Sequence, residues 1–235
     1  MVQKLAFKLV FILMVSWLLI GVQACAADDE LGDLQSPLTN EWRLVRDDQR
    51  HNIQSYIKRE DGLTYRSFRV TAVLDCNPKA IYKVLLDFEN YQKWYWEVKN
   101  IKLLSRLSSR EYYIYLVHNA PFGLSDRDVV LHATIQPSTY KQPMHMIRIK
   151  AVQDSDREAS SLIRMKAEDM VISFYPLSRD KTQIEVEGYI DPGSDAPSWA
   201  VNLIQRRAPY ANMLGLARMV KRDAFPEGTI DLPPN

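Results

Sequence analysis

Residues 127–136 read RDVVLHATIQ, and after a short proline-flanked loop residues 144–152 read MHMIRIKAV. In the first run Val129, Leu131, Ala133 and Ile135 oppose Asp128, His132 and Thr134; in the second Ile147, Ile149 and Ala151 oppose Arg148 and Lys150. Residues 182–190 repeat the pattern, with Ile184 and Val186 against Gln183, Glu185 and Glu187. Successive strand side chains point to opposite faces, so this period of two describes an antiparallel sheet with one dry face and one wet face.

The neighbouring segments extend that sheet. Strand-like runs are expected near residues 52–59, 65–74, 99–107, 111–118 and 161–175. Glu60-Asp61-Gly62 supplies the turn between the first two. Asn77-Pro78 is a helix start, an Asn cap followed by proline at the first helical position, and Ile81, Val84, Leu85 and Phe88 mark one face of the helix it opens. A second, longer helix is expected over 197–225, with Pro209 in its interior as a kink site. Only one short helix interrupts the strands, which excludes a βαβ series. The fold class is therefore α+β: a curved antiparallel sheet wrapped around a long C-terminal helix.

Composition bounds the chemistry. The 235 residues carry 30 Lys+Arg and 29 Asp+Glu, a net charge of +1, and no basic footprint for nucleic acid. Two cysteines cannot build a disulfide framework or a four-thiolate zinc site. Cys76, in Leu74-Asp75-Cys76-Asn77-Pro78, reads as a packed thiol. No glycine-rich phosphate loop or His-x-x-x-His pair is present. No cofactor and no metal is expected.

Residues 1–26 read as an export signal, with Lys4 and Lys8 ahead of an apolar run and Ala24-Cys25-Ala26 at its exit. That reading places the protein in the periplasm. Two others stay open: an uncleaved anchor over Leu9 to Ala27, and a weak lipobox, Val22-Gln23-Ala24-Cys25, that would lipidate Cys25. Residues 27–40 read as a linker, 41–225 as one domain and 226–235 as a tail.

Three further stretches resemble one family. Asp87-Phe88-Glu89-Asn90-Tyr91-Gln92-Lys93-Trp94 resembles the Asp…Tyr…Trp stretch of START domains, lipid-transfer modules of the helix-grip superfamily. Residues 120–130, APFGLSDRDVV, are similar to that family's Pro-x-x-Leu-Ser-x-Arg-Asp-x-Val signature, and Asp191-Pro192-Gly193 through Trp199 to Asn202-Leu203 resembles its entry into the final helix. The resemblance covers about Trp42 to Phe225 and implies an internal cavity that holds a lipid.

On that reading the dry strand faces and the last helix line the cavity: Val129, Leu131, Ile135, Ile147, Ile149, Met165, Val186, Leu203 and Ile204. Tyr113, Tyr115, His118 and Arg164 are candidate polar contacts, and Trp199 either plugs the cavity or faces a membrane. By the resemblance, the loop 136–143 meets the final helix over the mouth, with Tyr140 as the gate. Arg127 and Asp128 are expected to pair at a strand start, and Trp94 to cover the sheet rim; both roles are structural. His132 and His145 are placed on the wet or edge side. Arg206, Arg207, Arg218, Lys221 and Arg222 form either a solvated helix face or a contact for anionic head groups. The expected function is carriage of a phospholipid, sterol or similar lipid by a monomer in transient contact with membranes. Its rivals are a cyclase- or aromatase-like enzyme and a lipid-sensing adaptor, and no catalytic constellation is visible.

Overall fold

The computed structural model of the protein describes residues 40–120, 123–153, 158, 160–193 and 196–221. The readings of 1–26 and most of the linker, the tail, and the last turn expected for the final helix lie outside those residues.

Ten strands make one sheet: β1 (Arg43–Asp48), β2 (Ile53–Lys58), β3 (Ser67–Leu74), β4 (Val98–Ser108), β5 (Glu111–His118), β6 (Arg127–Gln136), β7 (His145–Val152), β8 (Ile163–Arg164), β9 (Ala167–Ser178) and β10 (Lys181–Asp191). Their order is β1-β2-β3-β10-β9-β7-β6-β5-β4, and every neighbour along it pairs antiparallel. The β3–β10 pairing joins the first hairpin to the last strand, Ala72 opposite Ile184 and Phe68 opposite Gly188. Such a closure of distant segments is what bends the sheet around a single interior.

The run expected over 161–175 is two strands. Short β8 pairs parallel with β6, and the chain then turns at Met165 and Lys166, whose N–H groups donate to the carbonyls of Asp128 and Asp191. Those bonds satisfy the backbone where the ladder changes partner.

Helix α1 (Pro78–Leu86) begins as its sequence dictates: the Asn77 side chain accepts from Ala80 N–H at 3.1 Å, and Pro78 occupies the first turn. A 3₁₀ turn, Phe88–Lys93, follows and brings the rings of Phe88, Tyr91, Trp94 and Tyr95 together, Tyr91 stacked on Tyr95 and Trp94 edge-on to Tyr95. Helix α2 (Ser198–Lys221) packs against β2, β3, β10 and α1 and runs continuously through Pro209. Because proline has no N–H, the Gln205 carbonyl loses its helical donor at that point.

Cys76 is buried between β3 and α1, and desolvation pushes its thiol up to about 11, so it is a packed, inert thiol. His145 corrects the sequence reading. It is in phase with Ile147 and Ile149 and faces the interior, stacked on Phe174 at 5.1 Å with Tyr82 Oη 3.1 Å from its Nδ1. Burial holds its pKa below the ordinary histidine value. His132 does lie on the outer face, 2.8 Å from Glu111 and stacked on Tyr113.

Candidate functional site

Two interior cavities lie under α2. The first, about 70 Å³, is walled by Phe68 and Val70 of β3, Met170 and Ile172 of β9, Val186 of β10, Trp94, and Met213 of α2. The second, about 90 Å³, is walled by His118, Arg127, Met165, Glu168, Val201 and Ile204 among others. Tyr95, Ile190, Ala208 and Asn212 border both. The two are neighbouring parts of one apolar interior, parted by those four side chains.

Gly188 and Gly215 show how closely the elements approach there. A Cβ on Gly188 would lie 2.8 Å from the Phe68 ring, so its absence lets that ring cross the sheet. A Cβ on Gly215 would lie 2.3 Å from the Trp94 carbonyl oxygen, so α2 touches the 94–97 segment backbone to helix. Asn212 Oδ1 accepts from Trp96 N–H at 2.6 Å in the same seam. Glu97 beyond it has φ of +54°, a strained left-handed conformation for a residue with a side chain, and its carbonyl accepts from Asn119 N–H at 2.8 Å.

One group in the second cavity has an unusual place. Glu168 is 1 % exposed and in phase with Met170, Ile172 and Phe174 on the inner face of β9. His118 Nε2 lies 2.9 Å from its Oε2, and Tyr95 Oη donates to its Oε1 at 3.2 Å. A buried carboxylate persists only with such partners. Desolvation alone pulls the His118 imidazole down, but the charge and hydrogen bond of Glu168 together outweigh it and the pKa is raised. Tyr95 is pushed well above the usual phenol range by burial and by the same carboxylate.

Sequence reasoning singled out His118 and missed Glu168, Tyr95 and Asn212. The signal for Glu168 was present: an acid in the apolar phase of a strand.

Met165, Val186, Ile204 and His118 stand at the cavity walls, with Arg127 and Trp94 beside them. Val129, Leu131, Ile135 and Ile147 face inward but pack solidly into the core, with Ile149 against it, and none of these five borders the cavities. The space opens instead along β3, β9 and β10, because α1 and the aromatic turn fill the other end of the dry face. Tyr113 and Tyr115 are a correction. Each is an odd number of positions along the strand from His118, so they occupy the outer face, where Tyr115 packs with Val117 and Val130.

Arg164 is likewise no cavity donor. Its guanidinium makes two bonds of 3.0 Å to the fully buried Asp128, the forked geometry of a strong pair. Asp128 thus pairs with Arg164 rather than Arg127, since neighbours on a strand point to opposite faces; the Arg127 guanidinium donates to the Ser125 carbonyl. Trp199 is 56 % exposed and plugs nothing. Leu203, one helical turn on, is half-buried away from the cavity walls.

Tyr140 is fully exposed in a surface cleft beside Asn77, Lys79 and Arg179, remote from the cavities. The loop that meets α2 is the β5–β6 connection. Asn119, Ala120 and Leu124 face Pro192, Ala196, Val201 and Ile204 across the second cavity.

Compared with known proteins, the chain matches the model of the START domain over residues 22–221. The chain belongs to the START-domain family. No curated protein matches the sequence. Among solved structures, this START domain is similar to the STAR-related lipid transfer protein of Xanthomonas axonopodis, with 24 % identity, a TM-score of 0.69, and 77 % of this chain and 99 % of that one covered. It is similar to human STARD10 at 17 % identity and a TM-score of 0.68, over 83 % and 78 % of the two chains. The Zhui aromatase/cyclase of Streptomyces sp. R1128 shares the fold more distantly, at 11 % identity and a TM-score of 0.52, over 69 % and 98 %. The ten-stranded sheet gripping α2 is the START helix-grip fold.

Proposed function

We propose that this START domain takes a lipid into the interior beneath α2 and carries it between membranes or to a partner. One observation carries the reading. The main core cluster draws Tyr210, Met213, Leu216, Ala217, Met219 and Val220 from α2 after Pro209 and no residue of α2 before it. The N-terminal half of the helix therefore lies over apolar space without being built into the core.

Burying ~20 methylenes is worth about 16 kcal/mol at ~0.8 kcal/mol each, so a free lipid rarely crosses water. An apolar interior removes that barrier. The interior as it stands is small: an apolar cavity of roughly 150 Å³ takes benzene, and these two spaces of about 70 and 90 Å³ hold no whole lipid. Loading therefore requires residues 198–208 to swing away from Asn119, Ala120 and Leu124, merging the cavities. Exposed Trp199 and half-buried Leu203 lie on the outer side of that half, where an indole suits a membrane interface. Export through residues 1–26, or lipidation at Cys25, suits a carrier working in the periplasm, and cell fractionation checks it.

An enzyme of the aromatase/cyclase kind is the second reading, favoured by the buried His118–Glu168 pair at a cavity wall. Native mass spectrometry of protein from its own cells separates the two. An intact co-purified lipid is expected; a chemically altered small product would replace carriage with catalysis. In vesicle-to-vesicle transfer, Trp199→Ala is expected to slow exchange severalfold at unchanged thermal stability. Unaltered exchange removes the membrane contact.

A further inference from the structure

A surface cleft of about 570 Å³ lies between the start of α1, the β6–β7 loop and the β9–β10 turn. It is far from the lipid interior. β6 runs from Arg127, on the wall of the second cavity, to Gln136 beside the cleft, and its 10 residues at about 3.3 Å each span roughly 30 Å. The charge of the cleft is one-sided. Exposed Lys79 and Arg179 line it, and among the described residues no carboxylate does. No ion pair among those residues holds either cation. Asn77 and Pro78 bring the positive end of α1 to the same space, and the first turn of that helix carries no acid to answer it.

A buried donor completes the cleft. His145 borders it and is only 8 % exposed. Ser138 N–H donates to its Nδ1 at 3.3 Å, so that nitrogen holds the lone pair, and the Tyr82 hydroxyl at 3.1 Å donates to it as well. The ring proton therefore sits on Nε2. That N–H has no partner among the described residues. Buried donors are ordinarily met, so this one is left for whatever enters the cleft. The loop that presents Ser138 is itself fixed: Thr139 and Gln142 exchange backbone hydrogen bonds of 2.8 and 3.1 Å, and the Thr139 hydroxyl also accepts from Gln142 N–H at 3.1 Å.

Exposed cations alone hold an anion weakly; two of them beside a helix dipole and an unmet buried N–H form a receptor for one. A carboxylate or a phosphodiester would bring a single charge. A phosphate monoester brings about −1.5 to −2 at pH 7 and three acceptor oxygens, enough to meet Lys79, Arg179 and the imidazole N–H together. We propose that this cleft binds a phosphate monoester, with Lys79 and Arg179 flanking the phosphate and His145 Nε2–H donating to one of its oxygens. The site stands apart from the carrier reading and holds whatever the interior carries.

The test is NMR titration of the full-length protein at about pH 7.5, where a monoester is chiefly a dianion, with methyl phosphate, dimethyl phosphate and acetate. Methyl phosphate should shift the Ser138 and Thr139 amides and the His145 Nε2 resonance saturably. It should bind about tenfold or more tightly than the two monoanions, the worth of one hydrogen bond to a charged group. Lys79→Gln and Arg179→Gln should each weaken it about fivefold or more, with melting temperature and lipid transfer unchanged. Sedimentation with phosphatidylcholine vesicles containing phosphatidate names the source of the phosphate. Binding that both variants lose and methyl phosphate competes away assigns it to a membrane head group; saturable methyl phosphate binding without sedimentation assigns it to a soluble monoester. Equal binding of the three anions, no saturation, a His145 resonance that stays still at saturation, or undiminished binding in the double variant overturns the site and leaves lipid carriage standing.

Discussion

The two halves of α2 obey different rules although they form one helix. From Pro209 onward, eight side chains or backbone positions are buried, Tyr210 Oη donates to Asp48 at 2.6 Å, Arg46 covers the Tyr210 ring at 3.7 Å, and Gly215 rests on the Trp94 backbone. Before Pro209, Ala200, Val201, Gln205 and Ala208 are buried, and the Gln205 side chain donates to the Ile190 carbonyl at 2.8 Å. Pro209 falls at the boundary and removes one helical hydrogen bond there. Stability is thus concentrated in the half that holds the sheet closed, and freedom in the half that covers the cavity, as expected of elements that must move.

The sharpest break of that contrast is at Gly215. Glycine to alanine inside a helix ordinarily stabilises by about 1 kcal/mol. Here the added carbon meets Trp94 backbone, which cannot rotate away. Gly215→Ala should therefore destabilise by about 3 kcal/mol, the upper range of overpacking, and lower the melting temperature by roughly 6–12 °C for a domain of this size. Trp199→Ala, in the other half, should stay within about 0.5 kcal/mol. Calorimetry of both variants reads the difference, and equal losses would mean that the two halves are held alike.

Pro209→Ala sharpens the comparison from the opposite side. It restores an N–H for the Gln205 carbonyl, and one backbone hydrogen bond is worth about 1 kcal/mol net, about fivefold in an opening equilibrium. Hydrogen exchange at residues 201–208 should slow by about that factor, with residues 213–220 unchanged, and lipid uptake should slow in parallel. Equal slowing in both halves would show that the proline does not divide the helix.

How much of this was legible follows from what each signal depends on. The sheet was readable because alternation such as Val129, Leu131, Ala133 and Ile135 is a local property of the chain. So was the start of α1, where Asn77 and Pro78 act within one turn. The cavity was not. Every inward residue of β6 and β7 had the same claim to line it, and only the placement of α1 and of the Phe88–Tyr95 aromatics decides that Ile135 and Ile147 are core while Val186 is wall. Tyr113 and Tyr115 could have been set aside by counting in twos from His118. Glu168 could have been found by the same count from Met170, Ile172 and Phe174. The partnership of Asp128 with Arg164, 36 positions away, depends on the chain returning beside β6 as β8, and no local pattern announces that return.

The smallest effect belongs to the clamp between β1 and α2. The Asp48 carboxyl is lowered to about 2, chiefly because Tyr210 Oη donates to it and next because the His51 side chain does. An unfolded aspartate titrates near 3.9. Because the folded value is the lower one, Asp48 contributes stability above about pH 4 and loses it as the pH falls towards 2. Acid should therefore loosen the C-terminal half of α2 at this contact. Tyr210→Phe removes the larger cause, so its folded Asp48 should titrate closer to the ordinary value. Following the Asp48 carboxyl by NMR from pH 5 to 2 in both proteins measures this, with the loss of stability over that window smaller in the variant. Superimposable titrations would remove Asp48 from the anchoring of α2, and the fixed half would then rest on Gly215, its apolar neighbours, and the Arg46–Tyr210 and Trp96–Asn212 contacts.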